Sequence, residues 1–523
     1  MEVLSKSKSI QNINKDLLTL FILVAVAAFL RPIPHIGGMG LDETSYAFLI
    51  KHFVDGTFLD DYIFIAFHPF YSFIASPLAA IGINPELAGR IVSYFFGVAS
   101  VIPVYFIGQL LFSRTAGFIT GFITATFPVL IKWSGIVQAQ TTYSFMLLMS
   151  MLFSLLFLKR FKLYYAILAG VFISFAYLSR AEGLGIFFGN VLMLLIFWFK
   201  KSFDRKLLIG AVLFIVSFLI VASPYVYALR LKTGQTKFTN KLYTAIRAAV
   251  IVDYDLDYEK YNYGKADIPK GEVLKMAIKV YPKKIVEAFT NFPDYFGYLA
   301  LLLAVLPLLF LFFETVSLAQ YLFFLPYLYV LIILPFFFLS ENYFIPYAPF
   351  IFLLSGNGAE LFKNVFQKRI KKSNVPFILA FVLLLITYEN VIHDRVKTYF
   401  QETKPGINKQ TIIYNGYRDF GKEIAQLIPK DSKIMTRFNI GAWYANGEYV
   451  SIPDVNWQEF LLTLDKQKID YIIVGPAEMD MRKELYNELF WRIKGIVKDN
   501  RFSLVKRTVT PYYLEFYLIK VNR

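Results

Sequence analysis

The run LLIGAVLFIVSFLIVASPYVYAL, residues 207–229, has no charged side chain over a length that lets an α-helix cross a hydrocarbon layer. Apolar runs of similar character recur at about 17–30, 88–112, 115–132, 138–158, 163–179, 183–199, 296–313, 317–339, 343–361 and 375–389, so the chain reads as about 11 transmembrane helices. In lipid every backbone N–H and C=O must be satisfied within the protein, which restricts such segments to helices. With 57% hydrophobic residues, 55 Phe and only 18% charged residues, the chain carries far more apolar surface than a soluble core of this length needs. The expected class is a polytopic α-helical membrane protein. The absence of Cys excludes disulfides, thiolate metal sites and cysteine nucleophiles.

A net charge of +16 would suit nucleic acid, but its distribution argues for membrane orientation instead. Lys6, Lys8 and Lys15, then Arg114, then Lys159-Arg160 with Lys162, then Lys200-Lys201 with Arg205-Lys206, then the run from Lys363 to Lys372 fall in alternate connections. The positive-inside rule makes these connections and the N-terminus cytoplasmic. The connection around Glu314 lacks a basic residue, which makes the eighth and ninth spans the weakest part of this topology. A basic start followed by Ala25-Val26-Ala27 also fits a cleaved signal peptide, with the same inside-to-outside direction.

This topology puts residues 31–87, the turn at Ser179–Gly183, a long loop from Arg230 to about Phe296, the turn at Ser340–Asn342 and everything after Glu389 on the outer face. The expected domains are a membrane domain over 1–389, with outer loops 31–87 and 230–295, and a soluble extracytoplasmic α/β domain over 390–523. Within the latter, Ser432–Thr436, Glu448–Ile452 and Asp470–Gly475 alternate like strands, and Phe502–Lys506 with Tyr512–Ile519 read as a hairpin-like pair. Asp419–Ile428, Trp457–Lys466 and Met481–Lys494 have helical periodicity. No Gly-rich phosphate loop follows any of these strands, which argues against a nucleotide site there.

The outer inventory holds the candidate chemistry. Asp42-Glu43 open a stretch, Leu41 to Val54, whose pattern suits an amphipathic helix lying in the membrane interface. A carboxylate at the start of a helix meets its positive dipole end and stays ionised, as a general base requires. The same placement also suits a plain N-cap. Tyr46 follows the acidic pair, Asp60-Asp61-Tyr62 is a second acidic turn, and His68-Pro69 lies among aromatics. Arg180 and Glu182 flank Ala181 between two spans, where an interfacial ion pair is the alternative reading. The segment Lys232 to Lys241 is basic on the outer side, against the orientation bias, and suits either a lipid phosphate or an exposed basic loop.

The ordered set of an acidic pair with a following Tyr, a His-Pro, a span ending Ser-Arg-Ala-Glu-Gly, a Thr-Gly with a later Lys, and Asn342-Tyr343-Phe344-Ile345-Pro346-Tyr347-Ala348-Pro349 resembles a known group. It is similar to the GT-C superfamily of polyprenyl-phosphate-sugar-dependent glycosyltransferases, in the glycosyltransferase family 39-like branch that includes protein O-mannosyltransferases and lipid A aminoarabinose transferase. The likeness covers roughly residues 15–360. It implies a GT-C membrane domain, a polyprenyl- or dolichyl-phosphate-linked sugar donor, an acceptor hydroxyl on a lipid, glycan or protein, and no nucleic acid. Asn342, preceded by Glu341, stands where the family has Arg; Ala181 replaces a usual Pro; and Gln140 stands where relatives often carry an acid.

The residue roles implied are Asp42 as general base, with Glu43, Tyr46, His68, Arg180, Glu182, Lys241, Glu341 and Asn342 contacting substrate. No cofactor is required, and a divalent metal is compatible with the scheme. A lipid-linked sugar flippase or transporter is the competing class; it predicts repeat symmetry and intramembrane charge pairs, which the sequence does not display. An oligosaccharyltransferase would carry Trp-Trp-Asp-Tyr-Gly in the outer domain, whereas this chain has Gly441-Ala442-Trp443-Tyr444-Ala445-Asn446-Gly447.

Overall fold

A computed structural model describes residues 2–31, 39–59, 63–201, 203–256, 268–311, 322–337, 339–369, 409–453, 455–481, 483–510 and 513–522. The acidic turn at Asp60-Asp61-Tyr62, the expected span 375–389 and the first part of 317–339 lie outside them. The chain divides into two compact units, the first comprising 1–34, 49–246 and 277–397 and the second 35–48, 247–276 and 398–523.

The first unit is a bundle of apolar helices. Among the described residues, Pro85–Leu111, Gln140–Arg160, Gly183–Lys200 and Arg205–Thr233 are each long and apolar enough to cross a membrane. The elements that matter for the site are α1 (Glu2–Leu30), α2 (Leu41–Asp55), α3 (Ile63–Ala66), α4 (Phe70–Ala80), α5 (Pro85–Ala99), α6 (Val101–Leu111), α7 (Arg114–Thr126), α8 (Pro128–Trp133), α9 (Gln140–Arg160), α10 (Leu163–Ser179), α11 (Gly183–Lys200) and α12 (Arg205–Thr233). The expected span 115–132 is split between α7 and α8 because Pro128 cannot continue the helix hydrogen-bond ladder. Of the span expected over 317–339, the described residues hold successive helical turns at Leu325–Leu328, Val330–Ile333 and Leu334–Phe336, with Pro326 at the start of the first.

Small residues let these helices approach closely. A Cβ on Gly117 would lie 2.6 Å from the Tyr105 carbonyl oxygen, so α6 and α7 meet backbone to backbone. The buried Arg31 guanidinium ties the ends of two helices together. It donates to the Ala27 carbonyl at 3.1 Å, to those of Thr124 and Ala125 at 2.8 and 2.7 Å, and to Ser134 Oγ at 3.0 Å. Carbonyls at helix C-termini have no partner within the helix and carry partial negative charge, so a cation there satisfies both needs.

The segment read as a long outer loop, 230–295, is largely helical. After Gly234 ends α12 in the left-handed conformation (φ 68°), α13 (Lys241–Asp253) and α14 (Lys270–Phe296) follow. Val273, Ala277, Lys284, Ala288 and Phe292 of α14 are buried at helical spacing, which explains why a polar-looking stretch folds as a helix. Gly297, at φ 83°, allows a 110° bend into α15 (Tyr298–Leu311).

The second unit carries a five-stranded sheet in the order β2-β1-β3-β5-β4, with β1 (Lys433–Thr436), β2 (Glu448–Ser451), β3 (Tyr471–Val474), β4 (Phe502–Val509) and β5 (Glu515–Val521). The first three are parallel, and β5 pairs antiparallel with both β3 and β4. A parallel strand covered on both faces needs apolar residues throughout, as in Tyr471-Ile472-Ile473-Val474, all buried. All five expected strands are present, with β4 and β5 running beyond the expected Lys506 and Ile519 and with Tyr512 outside the described residues. The helices differ: α16 (Lys409–Ile424) starts earlier than expected and ends before Pro429, and Met481–Lys494 is replaced by Pro476–Met481 and Lys483–Ile493.

At the C-terminal ends of β1 and β3 the buried Glu478 carboxylate accepts hydrogen bonds from Thr436 Oγ1 (2.9 Å), Arg437 N (2.7 Å), Gly475 N (2.8 Å) and the Tyr417 hydroxyl. Burial first, then the neighbouring carboxylate, pushes the Tyr417 phenol well above its usual range. Glu478→Ala would strand four buried donors and should lower the unfolding free energy of this unit by about 2–4 kcal/mol. Glu478→Gln should lose less. Thermal unfolding of the full chain, followed by limited proteolysis after Tyr417 and Arg437, checks the order of the two variants.

Candidate functional site

The sharp reversal between α10 and α11 begins the site. A Cβ on Gly183 would lie 2.5 Å from Tyr177 N, so the final Gly of Ser-Arg-Ala-Glu-Gly is a steric requirement of the turn. That turn projects Arg180 and Glu182 together, with Nη2 2.9 Å from Oε1 and the two side chains only 10% and 17% exposed. The Arg180 guanidinium lies 5.2 Å from the ring centre of Tyr343 and 6.0 Å from that of Tyr143. The Tyr143 and Tyr347 hydroxyls are 2.7 Å apart, and Ser144 Oγ donates to the Pro346 carbonyl at 2.9 Å, which locks α9 against the helical turns at 341–347.

Burial alone would raise the Glu182 pKa; the Arg180 charge and hydrogen bond, with a smaller contribution from the Lys241 charge, overcome it and hold the carboxyl at about 2. Glu182 is therefore ionised at any physiological pH.

Lys241 is the first residue of α13, and its backbone N–H donates to Thr239 Oγ1 at 3.0 Å, a side-chain cap of the helix start. Its ammonium sits 5.2 Å from the ring centre of Phe67. His68 Nε2 is 3.4 Å from the same Thr239 Oγ1. The imidazole is 3% exposed, edge-on to Tyr177 at 5.3 Å and tilted against Tyr225 at 5.0 Å. Burial first, then repulsion from Lys241, lowers its pKa to about 3 against the opposing pull of Glu182. His68 is thus a neutral group that offers hydrogen bonds and no positive charge.

A cavity of about 250 Å³ adjoins these groups, lined by Glu182, Thr239, Lys241, Tyr329, Phe337 and Tyr343 among others. Its walls are mostly apolar, with one carboxylate, one ammonium and a few hydroxyls as the polar lining. His68, Arg180, Glu182 and Lys241, drawn from distant parts of the sequence, thus form one electrostatic neighbourhood.

Glu341 is engaged elsewhere: Trp133 Nε1 donates to its Oε1 at 2.7 Å, and Lys132 Nζ lies 3.9 Å from its Oε2. Asn342 is half-buried, and its Oδ1 accepts no hydrogen bond among the described residues. The sequence reading did not single out Thr239, Tyr143 or Tyr177 as parts of this site. Hydroxyl and aromatic residues of this kind are abundant in membrane helices, and only their convergence distinguishes them.

The acidic pair belongs to the second unit. Asp42 is exposed in the first turn of α2, while Glu43 Oε1 accepts from Gly40 N at 3.3 Å and Thr44 N donates to the Gly40 carbonyl at 3.0 Å. Glu43 takes the capping contact and Asp42 stays open to solvent. Tyr46 is 6% exposed. The helix expected over 41–54 is present as Leu41–Asp55, and Thr44 to Ile50 are buried without interruption. Apolar and small residues all round that stretch make it a packed helix. Among the described residues no group of three or more His, Asp or Glu side chains is arranged to hold a metal ion.

Comparison with known proteins places this architecture. A family model described as dolichyl-phosphate-mannose-protein mannosyltransferase matches residues 68–227, and a second, described as predicted membrane protein (DUF2079), matches 260–494. ArnT from Cupriavidus metallidurans in the apo state superposes with a TM-score of 0.60 at 11% identity, covering 97% of this chain and 98% of that one. The same protein bound to undecaprenyl phosphate gives 0.56 at 11% identity, with 97% of each chain covered. The Archaeoglobus fulgidus oligosaccharyltransferase AglB, in complex with an inhibitory peptide and a dolichol-phosphate, gives 0.54 at 16% identity, covering 96% of this chain and 74% of that one. No curated protein sequence matches the chain. The chain is a membrane protein with the GT-C fold, as the resemblance of its motifs implied.

An imidazole that titrates at about 3 when folded and at 6.5 when not takes up fewer protons in the folded state between those values. The associated stability is complete above pH 6.5 and is lost as pH falls toward 3, by up to about 1.4 kcal/mol per pH unit. His68→Gln should remove this component. The thermal midpoint of the wild type should then fall more steeply between pH 7 and pH 4 than that of the variant, as differential scanning fluorimetry can measure.

Proposed function

We propose that the protein is an integral membrane glycosyltransferase that moves a sugar from a polyprenyl-phosphate carrier to an acceptor hydroxyl on the extracytoplasmic face, with inversion at the anomeric carbon. The observation that carries this reading is the mostly apolar cavity lined by Lys241 and Glu182, with Arg180 and the neutral His68 beside it. A donor of this class is itself an apolar chain ending in a phosphate and a sugar. Of the four groups, Arg180 and Glu182 cancel, which leaves the Lys241 ammonium as the net charge offered to a phosphate. The bound undecaprenyl phosphate of the ArnT structure and the dolichol-phosphate of the AglB structure support a carrier of this kind.

The roles follow from the chemistry. Asp42, solvent-exposed in the first turn of α2, takes the proton of the acceptor hydroxyl as it attacks the anomeric carbon. The glycosidic C–O bond to phosphate breaks on the opposite side, and Lys241, assisted by Arg180, stabilises the negative charge that grows on the departing phosphate. Glu182 orients Arg180, and Glu43 fixes the start of α2. Tyr46 and Asn342 are assigned to substrate contact, with Tyr343 added because it lines the cavity beside Arg180, whereas Glu341 is held by Trp133 and Lys132 and is given a structural role. A transporter would place its charges in helix centres, whereas Arg180, Glu182 and Lys241 lie at helix ends.

The test is consumption of polyprenyl-phosphate-linked sugars by the purified protein in lipid. Asp42→Asn should abolish transfer with an unchanged thermal midpoint; near-normal turnover in that variant would refute the assignment. Lys241→Met should lower kcat by about 10²-fold or more, since removal of one group that stabilises developing charge commonly costs that much. Glu182→Gln, which removes the carboxylate of the Arg180 ion pair, should lower the thermal midpoint while changing donor KM by no more than about twofold.

A further inference from the structure

The segment Gly441–Gly447 has no part in the chemistry above, yet the residues at and before it make a set of contacts with the acidic helix inside the second unit. α17 (Asn439–Tyr444) begins directly after Phe438, three residues beyond the end of β1. Asn439 is 5% exposed, and its Nδ2 donates to the Leu41 carbonyl at 3.2 Å and to Ser45 Oγ at 2.9 Å. Ser45 Oγ in turn donates to the Leu41 carbonyl at 2.9 Å. The Tyr444 hydroxyl accepts from Met39 N at 3.3 Å, and Trp443 packs edge-on against Phe48 with ring centres 5.0 Å apart. Tyr449 of β2 lies against the same Phe48 at 6.4 Å.

These contacts bracket Asp42 on both sides, at residues 39, 41, 45 and 48, while leaving its own side chain exposed. We infer that Asn439 is a positioning residue for Asp42, and that α17 with Trp443 and Tyr444 is a clamp through which the C-terminal α/β fold sets the orientation of the first turn of α2. The inference rests on the reading of Asp42 as the base.

Two features make the clamp rigid enough for that task. The backbone that launches α17 is fixed by Glu478, whose carboxylate accepts from Thr436 Oγ1 and Arg437 N. Asn439 also sits where only a donor serves, because its Nδ2 faces a carbonyl oxygen and a hydroxyl whose proton is already committed to that carbonyl. Aspartate has the same shape and no donor. A group that must meet a reacting hydroxyl within hydrogen-bond reach tolerates little displacement; about 1 Å of misplacement can cost 10²-fold in rate.

Asn439→Asp, Asn439→Gln and Trp443→Ala in the full chain test this with two readouts. Hydrogen exchange of the amides of residues 40–48 should speed up several-fold in Asn439→Asp and Trp443→Ala and change little in Asn439→Gln, which keeps the amide donor. Unchanged exchange in Asn439→Asp would overturn the clamp whether or not the protein transfers sugar. In the transfer assay, Asn439→Asp should lower kcat by ten- to a hundredfold with donor KM within about twofold, and Asn439→Gln should recover most of the loss. A fall in donor affinity with unchanged kcat would overturn the positioning role. The reading of Asp42 as base fails separately, through an active Asp42→Asn variant.

Discussion

The ion pair between Arg180 and Glu182 is what allows a charged site to exist at the edge of an apolar helix bundle. An isolated carboxylate in that position would take up a proton, and an isolated guanidinium would have to withdraw toward water. At 2.9 Å each stabilises the ionised form of the other, and the rings of Tyr143 and Tyr343, 6.0 and 5.2 Å from the guanidinium, attract it without competing for its hydrogens. With those two charges balanced, Lys241 becomes the electrostatically dominant group of the cavity, and burial first, with that positive field second, keeps His68 neutral.

The geometry of that pair depends in turn on main-chain features that carry no charge. Gly183 permits the reversal after α10, and the Thr239 cap sets the first residue of α13, which is Lys241. Arg31 closes the C-terminal ends of α1 and α7 over the Ser134 turn. In a membrane protein the helix ends are where backbone groups lack partners, so they are also where polar side chains can be held at low cost. Site residues and structural caps therefore share the same rim, and Glu341, held by Trp133 and Lys132, shows that a polar residue there can be fully occupied with structure.

The small sheet of the second unit contributes more than a soluble appendage. Its parallel half ends in the Glu478 network, and the chain leaves that network into Asn439, Trp443 and Tyr444, which hold the start of α2. The oligosaccharyltransferase motif sought in the Gly441–Gly447 stretch is absent, and the aromatic pair found in its place serves packing and hydrogen bonding inside the protein.

Membrane class, the apolar helices, the five strands and the identity of the turn Ser-Arg-Ala-Glu-Gly were legible in the residues, because each is written in local periodicity or in one steric demand. The likeness of ordered motifs to the GT-C group was also legible, since it needs only residue types in sequence order. Helix α14 was not recognised, because its 270–296 stretch is amphipathic and polar enough to pass for a loop until something covers its apolar face. The same limit hid the buried state of Thr44–Ile50 and the role of Asn439, nearly 400 residues from its partners at Leu41 and Ser45. The sequence by itself determined which segments are helix or strand and which polar groups are available. Only the tertiary structure decided that Arg180 is neutralised, that Lys241 keeps an influence over His68, and that Asn439 grips the acidic turn. Charge, burial and hydrogen bonding between distant residues are properties of distance in space, and no local pattern encodes them.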